Sequence, residues 1–221
     1  MKTDSQLQQD VLHELAWESR VTAPHIGVTI DQGVVTLTGT VTSYAERLAA
    51  QEAAHRVDGV LDVANELQVR LVSGLARTDS ELAQAVRQTL IWNVLVPHDR
   101  IQSTVSDGWV TLEGSVDTWH QREDTDRAVR HLAGVRGIID RLQVEAPAVA
   151  PPLIQSEIEA ALERRAERAA RKISVRVEDG TVTLTGAVRT LAEKRAVLGA
   201  ARGTPGVQAI HDHLAIDLTM A

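Results

Sequence analysis

The stretch VVTLTGTV at residues 34–41 returns as WVTLEGSV at 109–116 and as TVTLTGAV at 181–188. Gly39, Gly114 and Gly186 in these stretches stand 75 and then 72 positions apart, and the same two offsets link Gly59 to Gly134 and Gly206, and Leu67 to Leu142 and Leu214. Landmarks that share offsets mark a triplication, and a fixed period decides the architecture before any single element is read. The units are assigned to 1–71, 77–146 and 152–219. Residues 71–77, LVSGLAR, join the first two, and 146–152, APAVAPP, join the second to the third. The second join is rich in Pro and Ala and is expected to be an extended, semi-rigid spacer.

Working outward from the VTL strand, each copy is preceded by a tight turn, Asp31-Gln32-Gly33, Asp107-Gly108 or Asp179-Gly180. Such turns need residues at positive φ and join hairpin strands. Before the turn, Ile26, Val28 and Ile30 alternate as in a half-buried strand, as do Ile173, Val175 and Val177, with a weaker version in Ile101, Ser103 and Val105. Further upstream, Leu7, Val11, Leu12 and Leu15 fall at helical spacing, as do Leu82, Val86 and Leu90, and Ile154, Ile158 and Leu162. Asp4 and Asp79 are placed as N-caps of the first two of these helices.

Downstream, a second helix is expected over 43–57, 118–132 and 190–203. Its inward face is small, with Ala50, Ala53, Ala54 and Val57 in the first copy and Thr125, Ala128, Val129 and Leu132 in the second. Gly59, Gly134 and Gly206 end it in a left-handed cap, and a last strand ends at Leu67-Gln68-Val69, Leu142-Gln143-Val144 and Leu214-Ala215-Ile216. The fold class is therefore α+β: three tandem α-β-β-α-β units, each a three-stranded sheet with two helices on one face.

The DG-x-VTL-x-G-x-V hairpin, the Gly-Val turn before the last strand and the element order resemble the BON domain, a family named for bacterial OsmY and nodulation proteins. The resemblance covers nearly the whole chain three times, and the family's glycines fall on Gly39, Gly114 and Gly186 and on Gly59, Gly134 and Gly206. It implies an OsmY-like, transport-associated protein without enzymatic activity, linked to osmotic stress and to phospholipid surfaces or other envelope components. OsmY-like relatives are mostly exported and carry two such domains, whereas three copies occur here.

Composition narrows the function further. The 221 residues include no Cys, no Phe, one Tyr and four Trp, and the net charge is −7. Without cysteine there is no disulfide scaffold, thiolate metal site or thiol nucleophile. Few rings for stacking and an acidic balance argue against nucleic acid as a partner. The first fifteen residues carry Asp4, Asp10 and Glu14 and no apolar run, and no stretch of about 18 apolar residues occurs anywhere. The chain is expected to stay in the cytoplasm, with the periplasm as the alternative if it has been trimmed.

Candidate sites follow from comparing the copies. Conserved spacing across all three makes the six glycines structural, as places of close backbone approach or bulging. Trp17 aligns with Trp92, and Tyr44 aligns with Trp119 and Leu191. Amphipathic rings at helix ends suit a membrane interface or a protein contact; the plainer reading is a cap on the unit's own core. By thirds (1–74, 75–147, 148–221), the net charge runs −5, −3 and +1. The basic excess gathers in RRAERAARK at 164–172, where Arg164, Arg168, Arg171 and Lys172 share a helical face. That face can meet anionic head groups, or simply complement the helix dipole and pair Glu167 with Arg171.

His211 and His213 share a strand face, but the copies place Glu66 and Arg141 at the position of His213, so a metal site has no support. The acidic run Glu123-Asp124-Thr125-Asp126 lacks a calcium loop. No catalytic signature occurs, and no cofactor is expected. The reading is a non-enzymatic binding protein that associates with an anionic phospholipid surface or an envelope protein under osmotic stress. The alternative is a scaffold whose units pack together, or with other copies as a homo-oligomer, and bind a protein or a small ligand such as a cation. In that alternative, open sheet faces bearing Thr36 and Thr38 are the expected meeting surfaces.

Overall fold

Each hairpin turn holds two consecutive residues at positive φ, which matches the twist of the strands it joins: Gln32 and Gly33 at 50° and 79°, Asp107 and Gly108 at 51° and 77°, Asp179 and Gly180 at 45° and 76°. The computed structural model of the chain describes residues 2–71, 77–165 and 173–217, the side chains of 163–165 excepted. The first unit contains α1 (Asp4–Trp17), β1 (Ile26–Asp31), β2 (Val34–Val41), α2 (Tyr44–Arg56), β3 (Asp62–Asn65) and β4 (Gln68–Val69). The second contains α3 (Asp79–Trp92), β5 (Ile101–Ser106), β6 (Trp109–Val116), α4 (Trp119–Arg130) and β7 (Gly137–Val144). The third contains α5 (Pro151–Arg165), β8 (Ile173–Glu178), β9 (Thr181–Val188), α6 (Leu191–Arg202) and β10 (Ala209–Ile216).

In every unit the VTL strand is central. It pairs antiparallel with the strand before the turn and parallel with the last strand, as β1-β2-β3, β5-β6-β7 and β8-β9-β10. The first unit divides its last strand, but β4 pairs with β2 in the register β3 sets, Val34 opposite Asp62 and Thr40 opposite Gln68. One sheet face meets the two helices. There Val35 and Leu37 join Leu7, Val11, Leu15, Ala50, Ala53 and Ala54 in one core, and the other units repeat the arrangement. Leu12, expected inside, is instead partly exposed.

The first helices are capped one residue earlier than expected. Thr3 and Thr78 are the N-caps, each in a capping box with Gln6 or Glu81. Asp4 and Asp79 then occupy the first helical position, and their carboxylates accept hydrogen bonds from the hairpin turn. Gln32 and Gly33 donate to Asp4 at 3.0 and 3.2 Å, and Asp107 and Gly108 donate to Asp79 at 2.7 and 2.9 Å. The third unit has Pro151 at this position, which suits a first helical turn because its missing N–H would have no partner there.

The second helices begin on Ser43, Thr118 and Thr190, whose hydroxyls accept from the N–H of Glu46, Gln121 and Glu193. Those three side chains reach back to the N–H of Thr42, Asp117 and Arg189. Gly39 lies at φ 118° with an added Cβ falling 2.1 Å from the His25 carbonyl oxygen, and Gly114 repeats this at 127° and 2.0 Å from that of Arg100. At both positions the backbone conformation and the close approach exclude a side chain.

The spacer before the third unit is short and docked rather than extended. Pro151 and Pro152 already belong to α5, Val149 packs against the third core and beside Gly206, and the Ala146 carbonyl accepts from Gln208.

Candidate functional site

The repeat places Tyr44, Trp119 and Leu191 at the first position of α2, α4 and α6. Each reaches into the core of the next unit. Tyr44 packs on the second core, Trp119 on both the second and the third, and Leu191 on the first. Tyr44 meets the backbone of Ile138, close to Asp126 and Arg130; burial, then Asp126, push its hydroxyl above the usual range. Trp119 lies between Arg122 and Arg202, whose guanidinium carbons are 5.1 and 5.3 Å from its ring centre. Arg202 also pairs with Glu123 across this joint. Leu191 docks where α6 meets α2. These residues therefore join units, whereas on the expected meeting surfaces, the open sheet faces, Thr38 is exposed and Thr36 half-buried.

Three head-to-tail joints built on equivalent residues form a closed ring with pseudo-threefold symmetry. A cyclic arrangement carries equivalent positions to the same side. The ends of α1, α3 and α5 therefore face one way.

Large apolar side chains stand exposed at the ends of α1 and α3. Trp17 is 77% exposed, with its indole N–H donating to His13 at 2.9 Å. In the second unit Trp92 is 76% exposed, Val94 96% and Leu95 58%, with Ile91 beside them. The Asn93 side chain accepts from Leu95 N–H, and Val96 is buried below, so the turn is fixed with its apolar side chains outward. Sequence reasoning singled out Trp92 but missed Ile91, Val94 and Leu95. The signal was present, since Leu90 must face the core and leaves its apolar neighbours outside. In the third unit Arg164 occupies the equivalent place in the last turn of α5; Arg168, Arg171 and Lys172 lie outside the described residues.

Other candidates hold no free chemistry. Among the described residues no three His, Asp or Glu side chains gather as metal ligands, and His211 and His213 are exposed. The acidic run on α4 is paired, Asp124 with Arg127, Asp126 with Arg130 and Glu123 with Arg202. A polar cleft on the second sheet carries Arg100 and Arg141, but these bond Asp117 and Glu113 at 2.6 and 2.8 Å. No described helix is long and apolar enough to cross a membrane.

The family comparison agrees with three tandem units. The BON domain model matches residues 3–70, 78–146 and 152–217. The chain is 29% identical over 147 residues to Osmotically-inducible protein Y of Escherichia coli (strain K12), covering 64% of this chain and 73% of that protein. Among solved structures, the C-terminal domain of CdsD, a structural protein of the type III secretion system of Chlamydia trachomatis, aligns over 98% of this chain and 100% of that one. Its identity is 14% and its TM-score 0.28. With three matches spanning nearly all of its length, the chain belongs to the BON domain family and consists of three such domains in tandem.

Proposed function

We propose that this protein is a non-enzymatic binding protein that attaches to an anionic phospholipid surface, in a response to osmotic stress. The observation that carries the reading is the fixed, outward turn of Trp92, Val94 and Leu95, on the side of the ring that also holds Trp17. Similarity to an osmotically inducible protein supports the stress context. Moving these three side chains out of water is worth on the order of 4–6 kcal/mol, which supports reversible attachment. After Arg164 the sequence continues with further basic residues, and a cation near an anionic surface is worth about 1 kcal/mol.

Co-sedimentation with phosphatidylglycerol vesicles at low salt tests this. Binding is expected, with weakening at high salt and at least tenfold loss in a Val94→Asp, Leu95→Ser variant. Absence of sedimentation at low salt overturns the reading, as does equal binding by that variant. The alternative, a scaffold of packed units, gains from the ring, and it predicts that a soluble partner protein rather than lipid covers the same turn.

A further inference from the structure

The three joints share geometry but not chemistry. The receiving helix presents Arg130 in the first, Arg202 in the second and His55 in the third, while the entering helix presents Leu48, Glu123 and Arg195. In the first joint, Arg130 is neutralised by Asp126 of its own helix. In the second, Arg202 meets Glu123 of the neighbouring unit at 3.7 Å. The third sets an imidazole close to a guanidinium that carries the same sign once the imidazole is protonated.

Three elements bring charged groups to His55. Arg195 faces it from α6, Glu52 from its own helix and Asp62 from the start of β3. Its Nδ1 is buried and has no hydrogen-bond partner among the described residues. Burial first, and then Arg195, hold the imidazole below its usual range, against the opposing pull of Asp62 and Glu52. Arg195 is itself lowered by burial and by Arg202 and Arg56, against the opposing pull of Glu52.

We infer that the joint between the third and first units is an acid-sensitive gate of the ring, closed while His55 is neutral and opened when His55 takes up a proton beside Arg195. In an opened joint the imidazole is solvated and returns to its ordinary value of about 6.5. The open form therefore binds more protons below that value, and closure weakens as pH falls from there through the lowered value. Above it both forms are neutral and the gate stays shut. The other two joints have Arg130 and Arg202 where this one has His55, so opening is confined to one place and the third unit remains held by the second.

The chain has no native cysteine, so paired labels can be introduced cleanly. Spin labels at Thr29→Cys and Arg176→Cys, exposed and equivalent positions of β1 and β8, report the distance between the first and third units. A Thr29→Cys, Thr104→Cys pair reports the first joint. Between pH 7.5 and pH 5.0 the first pair is expected to shift reversibly to longer, broader distances while the second pair and the far-ultraviolet circular dichroism stay constant. His55→Gln is expected to abolish the shift. The double variant His55→Arg, Arg195→Glu recreates the Glu123–Arg202 pairing and is expected to stay closed at both pH values. Unchanged 29–176 distances, a shift that persists in His55→Gln, a pH-dependent distance in the double variant, or both pairs moving together each overturns the proposal.

Discussion

Glu46 shows how a single side chain organises one corner of a unit. It is 5% exposed yet accepts hydrogen bonds from the N–H of Thr22 and from both the N–H and the hydroxyl of Thr42, at 2.7–2.8 Å. Burial alone would raise its pKa, but the Thr42 and Thr22 bonds outweigh it and hold the carboxyl below the usual range. A Gln here keeps one acceptor and turns an amide N–H₂ toward groups that donate. We expect Glu46→Gln to cost about 2–3 kcal/mol in urea denaturation at neutral pH. A group lowered on folding stabilises above its ordinary value and loses that effect as pH falls through the lowered one. The gap between wild type and variant should therefore narrow between pH 6 and pH 3; a constant gap contradicts the assignment. Its equivalents are Gln121 and Glu193, so the back-bonding role was present in all three copies of the sequence, while the burial of one of them was not.

At the scale of elements, the link between the first helix and the hairpin is the part that sequence reasoning misplaced. Asp4 and Asp79 look like N-caps because Asp is a preferred cap and both precede helical periodicity. Thr3 and Thr78 also fit, and only the fold brings the β-turn near enough to occupy the carboxylates. The helices, strands, hairpin turns and strand glycines were readable because periodicity, positive-φ turn chemistry and triplication agree on them, whereas Gly59, Gly134 and Gly206 are not the helix caps expected: the second helices end on Val57, His131 and Gly203, and these glycines take their positive φ in the turn that follows. A tie between residues 28 or 29 positions apart leaves no local pattern. Asp79→Ala removes two charge-assisted bonds at an exposed site, and about 1 kcal/mol of the second unit's stability should go with them. Hydrogen exchange read at Asp107 and Gly108 should quicken in this variant, while Gly180, whose unit has Pro151 instead, keeps its rate. Equal exchange at Asp107 and Gly108 with and without the carboxylate would refute the tie.

For the whole molecule, the contacts between units were the least readable feature. Trp17 and Trp92 align and stay outside, whereas Tyr44, Trp119 and Leu191 align and turn inward to a neighbour. Nothing in their spacing separates the two sets, because each lies at a helix end. The difference arises from the joints, where the second helix of one unit meets the core of the next. Each unit is small enough to be marginal alone, and a ring gives every unit two neighbours. This has a consequence for the covalent link. The third unit is held by Trp119 on one side and by Leu191 on the other, so the spacer is not needed to keep it in place. A protease site inserted after Ala148, which is exposed, allows the chain to be cut there. We expect the two fragments to co-elute in size exclusion at neutral pH. Trp119→Ala removes a ring shared by two cores and flanked by two guanidinium groups, a loss of about 2–3 kcal/mol from that joint. The cut variant should then separate into its fragments at low micromolar concentration. Separation of the unsubstituted fragments under the same conditions would mean that the spacer, and not the joints, holds the third unit.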